Sequence, residues 1–148
     1  YTAIIAENPT SSMAYYFRGR AYFEMTEYLL VDDDYTESIR LNPNFADAYY
    51  HRGRFYSLMG KDDLAITDYT ETIRLNPNYA EAYHYRAIIY GEDKGDYDLA
   101  IADLDEALRL RPDYADAYAT RGFMYYRLTD YDRAITDYTE AIRIDPDG

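Results

Sequence analysis

Five prolines set the frame of this chain. They stand at Pro9, Pro43, Pro77, Pro112 and Pro146, spaced by 34, 34, 35 and 34 residues, and no other proline is present. A fixed period of this length means a tandem array, because one supersecondary unit is repeated and each copy buries its apolar face against the next. Numbering every unit so that its proline is position 32 divides the chain into residues 12–45, 46–79, 80–114 and 115–148. Residues 1–11 read as the end of a preceding unit's second helix with its linker, since Tyr1-Thr2-Ala3-Ile4-Ile5 aligns with Tyr69-Thr70-Glu71-Thr72-Ile73. The third unit carries one extra residue, within 91–96, and the whole forms one repeat domain.

Within a unit, two stretches have helical spacing. In the second unit they run from Asp47 to Met59 and from Asp63 to Leu75. Tyr49, Gly53 and Tyr56 fall on one stripe of the first stretch, and Ala65, Ile66, Tyr69, Ile73 and Leu75 form the matching face of the second. Asn76-Pro77 stops the second helix, because proline cannot continue it. The connector Gly60-Lys61-Asp62 is so short that the two helices must be antiparallel neighbours. The expectation is an all-α array of helical hairpins.

An aromatic at position 4, Gly or Ala at 8, Tyr at 11, Ala at 20, an aromatic at 24, Ala at 27 and Pro at 32 together resemble the tetratricopeptide repeat (TPR). The second unit reads Tyr49, Gly53, Tyr56, Ala65, Tyr69, Thr72, Pro77, and the fourth reads Tyr118, Gly122, Tyr125, Ala134, Tyr138, Ala141, Pro146. The third unit substitutes Ala87 for the glycine and Leu104 for the second aromatic. The first has Val31 and Ser38 at the two alanine positions, which predicts looser packing of its second helix. The resemblance implies a right-handed α-solenoid of stacked helix-turn-helix hairpins whose concave wall is lined by the first helix of each unit.

The chain has 21 tyrosines. Most recur at fixed positions, including Tyr1, and are read as packing residues that fill the space between hairpins. The remainder are Tyr16, Tyr50, Tyr85 and Tyr126. Position 7 is arginine in every unit, as Arg18, Arg52, Arg86 and Arg121, and position 23 is aspartate, as Asp34, Asp68, Asp103 and Asp137. Position 7 lies on the inner stripe of the first helix, where a guanidinium needs a fixed carboxylate to offset its desolvation. A ladder of Arg–Asp pairs, within or between units, is the expectation; the alternative is that the arginines reach water independently.

At about 100° per residue, positions 2, 5, 9 and 12 fall opposite the packing stripe of the first helix. That side places Tyr16, Arg20, Phe23, Asp47, Tyr50, Arg54, Glu81, His84, Ile88, Phe123 and Tyr126 on the candidate partner-binding groove. Exposed aromatics beside arginines suit a contact surface; a competing reading is that Tyr16 and Tyr50 only cover joints between first helices. Some members of the family resembled grip a C-terminal carboxylate with a clamp of lysine, asparagine and arginine. Here Tyr16 and Arg20, His51, and Glu81 and Tyr85 stand in those places, so chaperone tails are not expected partners.

The charge excludes other classes. With 28 acidic and 15 basic residues the net charge is −13, which repels phosphate backbones and anionic membranes. No nucleic acid or membrane partner is therefore expected. The absence of cysteine removes thiolate metal sites and thiol nucleophiles. His51, His84 and Glu81 offer no fixed metal-ligand spacing, and Asp32-Asp33-Asp34 and the acidic stretch 92–98 lack the alternation of a calcium loop. No catalytic residue, metal or cofactor is expected. No signal peptide or membrane span is legible; a soluble chain is the expectation, with its compartment open and the cytoplasm favoured. The expected function is a non-enzymatic protein-interaction module that holds a peptide or protein segment in the groove. The alternative is a self-assembling scaffold in which apolar terminal repeats stack or exchange between chains.

Overall fold

A computed structural model describes residues 10–147. Residues 1–9, which include Tyr1 and most of the expected remnant of a preceding unit, lie outside the described residues. The described chain divides into a first unit ending at Pro77 and a second beginning at Asn78. The first holds α1 Ser12–Glu24, α2 Val31–Leu41, α3 Ala46–Leu58 and α4 Asp62–Leu75. The second holds α5 Ala80–Ile88, α6 Tyr97–Leu110, α7 Ala115–Arg127 and α8 Tyr131–Ile144. The described residues contain no strand. In each unit consecutive helices pair as hairpins, and the second helix of one hairpin packs on the first helix of the next, α2 on α3 and α6 on α7.

The ends of the helices follow from local chemistry. Asn42, Asn76, Arg111 and Asp145 each precede a proline and each is extended, with φ between −138° and −129°, because the proline ring excludes the helical conformation of the residue before it. The first helices end differently, in a residue of positive φ: Thr26 at 59°, Gly60 at 66°, Gly95 at 73° and Thr129 at 61°. The turn is closed by a bond from the next backbone N–H to the tyrosine carbonyl of position 11, at 2.9 Å for Glu27 to Tyr22, Lys61 to Tyr56 and Asp130 to Tyr125.

Close approach within a hairpin is made at position 8. A Cβ on Gly53 would stand 3.0 Å from the Tyr69 ring, one on Gly19 would stand 3.1 Å from Tyr35, and one on Gly122 would stand 3.2 Å from Tyr138. In α5 the equivalent residue is Ala87, and the side chain facing that position is Leu104; both are fully buried in one apolar cluster. Val31 and Ser38 of α2 are also fully buried. The looser packing expected there is therefore not found. Ser38 Oγ donates to the Ser12 carbonyl at 2.9 Å, and Ser12 Oγ donates to the Ser38 carbonyl at 2.9 Å, so the hydroxyls are satisfied and add cross-helix bonds.

The extra residue of the third repeat is taken up at the end of α5 as a π turn, Ile89–Asp93, in which the Lys94 N–H reaches the Ile89 carbonyl at 3.1 Å. A π turn is the way an α-helix accommodates a single insertion. A Cβ on Gly91 would lie 2.2 Å from the Met124 sulfur, so a larger residue there must displace the end of that side chain.

Candidate protein-interaction surface

The inner face of each first helix is committed to structure. Arg18 Nη2 donates to Asp34 Oδ1 at 2.6 Å and its Nε donates to Oδ2 at 2.8 Å. Arg52 with Asp68, Arg86 with Asp103, and Arg121 with Asp137 form the same fork at 2.7 or 2.8 Å. Each pair spans the two helices of one hairpin. The aspartate side chains are 3% to 11% exposed, a desolvation that only a bidentate guanidinium offsets. The carboxylate hydrogen bonds in turn raise the pKa of Arg18 and Arg121. The guanidinium is further flanked by tyrosines one turn away on either side: Arg18 by Tyr15 and Tyr22, Arg52 by Tyr49 and Tyr56, and Arg86 by Tyr83 and Tyr90, at 5.4–5.9 Å.

The third guanidinium nitrogen ties hairpins together inside a unit. Arg52 Nη1 donates to Thr36 Oγ1 at 3.0 Å, and Arg121 Nη1 donates to Asp105 Oδ1 at 2.6 Å. The Tyr56 hydroxyl adds a bond to Asp32 at 2.7 Å, and burial together with this bond pushes its pKa up to about 12.

Position 5 belongs to the joints, which corrects the groove expected from the helical wheel. Tyr16, Tyr50 and His84 are 5%, 7% and 5% exposed. Tyr16 packs on Phe45 with ring centroids 4.8 Å apart and on His51 at 5.5 Å, closing the contact between α1 and α3. His84 occupies the same place between α5 and α7: Nδ1 pairs with the Tyr114 hydroxyl at 2.9 Å and Nε2 with the Thr120 hydroxyl at 3.0 Å. Tyr50 rests on His51 and Tyr69. The wheel treats a helix as solitary, whereas at Tyr16 and His84 the aromatic at position 34 and the neighbouring first helix cover position 5. The aromatics Phe45 and Tyr114 at position 34 were the available signal. Both imidazoles are held neutral, with pKa values of about 4: burial is the main cause at each, reinforced at His51 by Arg20 and Arg54. Both ring nitrogens of His84 are thus bonded to hydroxyls.

The other groove residues remain at the surface. Arg20 and Tyr126 are exposed, and Phe23, Asp47, Arg54, Glu81, Ile88 and Phe123 are half-buried. In the first unit Arg20 stacks over Tyr16 at 5.7 Å and Arg54 over Phe23 at 5.9 Å, forming a basic and aromatic patch around the neutral His51. In the second unit the equivalents of the two arginines are Ile88 and Phe123, so apolar side chains stand where the first unit has its two charges. The sequence reading missed two features here: Arg127 stacks over Phe123 at 5.7 Å and Tyr97 at 5.3 Å, and Glu81 is hydrogen-bonded to Arg111.

Models described as tetratricopeptide repeat match residues 46–79, 68–102 and 115–147, and one described as TPR repeat matches 92–129. The chain belongs to the tetratricopeptide repeat family. Its fold is correspondingly an all-α TPR solenoid. A crystal structure of MamA is similar with a TM-score of 0.91 at 22% identity, covering 99% of this chain and 85% of that one. A MamA fragment from Desulfovibrio magneticus RS-1 gives 0.86 at 20% identity, covering 96% and 80%. The first TPR of Spaghetti (RPAP3), bound to the HSP90 peptide SRMEEVD, gives 0.67 at 28% identity, covering 70% of this chain and 81% of that one. No curated protein matches by sequence. No helix among the described residues is long and apolar enough to cross a membrane.

Proposed function

We propose that this TPR array is a non-enzymatic protein-interaction module whose first-helix faces hold segments of a partner protein. In the first unit acidic side chains of the partner meet Arg20 and Arg54, with Phe23 beside them. In the second, aliphatic or aromatic side chains meet Ile88 and Phe123, with Tyr126 exposed three residues after Phe123. The observation that carries this reading is Arg20, whose exposed guanidinium stacks on Tyr16 without a carboxylate partner among the described residues. In a chain with 28 acidic residues, an arginine that is not internally neutralised is available for a carboxylate on another molecule.

The relative bound to SRMEEVD supports segment binding as a mode for this fold. The residues at the clamp places differ here, so recognition is assigned to internal acidic side chains and not to a chain end. The test is a fluorescence-anisotropy titration of a labelled peptide mixing glutamate and leucine, against the native chain and an Arg20→Ala/Arg54→Ala variant. Binding should weaken by at least about tenfold in the variant and with added salt, and free-acid and amidated peptides should bind alike. Equal binding by both proteins would reject the assignment. End-to-end assembly of chains, the competing reading, would instead give a mass that rises with concentration in sedimentation.

A further inference from the structure

The turns that join first to second helices carry apolar side chains that hairpin packing does not use. Position 19 is leucine in three repeats, as Leu30, Leu64 and Leu99, and these are 45%, 48% and 52% exposed. Each stands one residue before a fully buried neighbour, Val31, Ala65 or Ala100, and successive residues of a helix differ in direction by about 100°. The exposure recurs in all three repeats, so it is a property of the turn and not of one hairpin.

In the first unit these leucines have apolar company. Met25 and Leu29, in the turn after α1, are 64% and 92% exposed, and Leu58, the last residue of α3, is 54% exposed. Tyr28 brings the two turns together: its ring centroid lies 6.0 Å from that of Phe23 on α1 and 6.2 Å from that of Phe55 on α3. The charge around them has one sign. Glu24, Glu27, Asp33 and Asp63 are exposed, Asp32 and Asp62 are half-buried, and the one cation in residues 24–33 and 58–64 is Lys61, which lies over the Tyr56 ring at 5.5 Å. The second unit has a related edge, where Leu99 and Leu128 border a hollow of about 470 Å³ together with Asp96 and Asp98.

We propose that the turn edge of the first unit docks a basic amphipathic helix of a partner protein. Its apolar stripe covers Met25, Leu29 and Leu58, and its lysines or arginines meet Glu24, Glu27 and Asp63. The charge selects this occupant. A cluster of exposed apolar side chains calls for an apolar cover, but the acidic rim repels an anionic lipid surface and the equally acidic edge of a second copy. A helix whose apolar stripe is flanked by cations is complementary in both respects. The edge shares none of these residues with the Arg20 and Arg54 patch and takes a partner of the opposite charge, so the two assignments stand or fall separately.

The probe is a labelled peptide of leucine and lysine, about four helical turns long, with its leucines on one helical stripe. It is titrated against the native chain, a Leu29→Ser/Leu58→Ser variant and the Arg20→Ala/Arg54→Ala variant, each checked for helicity by circular dichroism. Saturable binding is expected, weakened about tenfold or more in the leucine variant, unchanged in the arginine variant and weakened by salt. A peptide of the same composition whose order places leucines all round the helix should bind about tenfold less tightly. Absence of binding, equal binding of the two peptides, or binding that survives the leucine substitutions overturns the proposal. So does a failure to capture the peptide accompanied by binding to vesicles containing phosphatidylserine, or by self-association, that the leucine variant loses; the edge would then belong to a lipid surface or to a second copy.

Discussion

Hairpins α3–α4 and α5–α6 fill the same contact with different pairs of side chains. The first sets Gly53 under the Tyr69 ring; the second sets Ala87 with Leu104. A methyl added to one helix is matched by a smaller side chain on the other, so what the fold preserves is the summed volume of the pair and not either residue. The polar fork beside this contact does not vary: Arg52 with Asp68 and Arg86 with Asp103 have the same geometry. Apolar packing at one position is negotiable, while a buried charge has a single solution.

The strongest way to break the comparison is to remove the fork. Arg52→Ala strands Asp68, whose side chain is 3% exposed, and should cost about 3–5 kcal/mol in urea unfolding. Arg86→Ala should cost less, because the Asp103 side chain is 11% exposed and closer to water; equal losses would count against burial as the cause. The volume rule is tested next. Gly53→Ala forces a methyl against Tyr69 and should cost about 2 kcal/mol even after the gain in helix propensity, and adding Tyr69→Leu should restore most of it. A double-mutant cycle with no coupling would refute the rule.

Acid acts on both hairpins. His84 has a folded pKa of about 4 against an ordinary 6.5, so the unfolded chain takes up the proton first and stability falls as pH drops from about 6.5 towards 4. His84→Gln should remove about 1–2 kcal/mol of that loss by pH 5. His51→Gln should remove a similar amount, since its folded pKa is also about 4. The smallest effect concerns the turns. Gly60 and Gly95 have positive φ with nothing within 4 Å of an added Cβ, so Gly60→Thr should cost only the backbone penalty of about 1 kcal/mol. Thr129→Gly should return a similar amount, read as a rise in melting temperature.

Much of this was legible because the repeat multiplies each signal. Prolines gave the hairpin boundaries to within a residue or two, and an arginine and an aspartate recurring at fixed positions pointed to a pair before any distance was known. Position 5 was misread for a physical reason. Its exposure depends on the adjacent hairpin and on Phe45 or Tyr114 in the linker, and a single-helix projection contains neither. Ser38 was misread similarly: a hydroxyl at an alanine position looks like a packing defect until Ser12 faces it.

The π turn at Ile89–Asp93 carries a consequence for how such an array changes length. Arg86 and Asp103 are 17 residues apart where the other pairs are 16 apart, yet their fork is the same. The extra residue is confined between the two partners and shifts nothing downstream out of phase. The end of a first helix therefore works as an expansion joint: a copying error of one codon can be absorbed there, while the same error inside α6 would rotate the rest of that helix by about 100° and scramble the contacts beyond it.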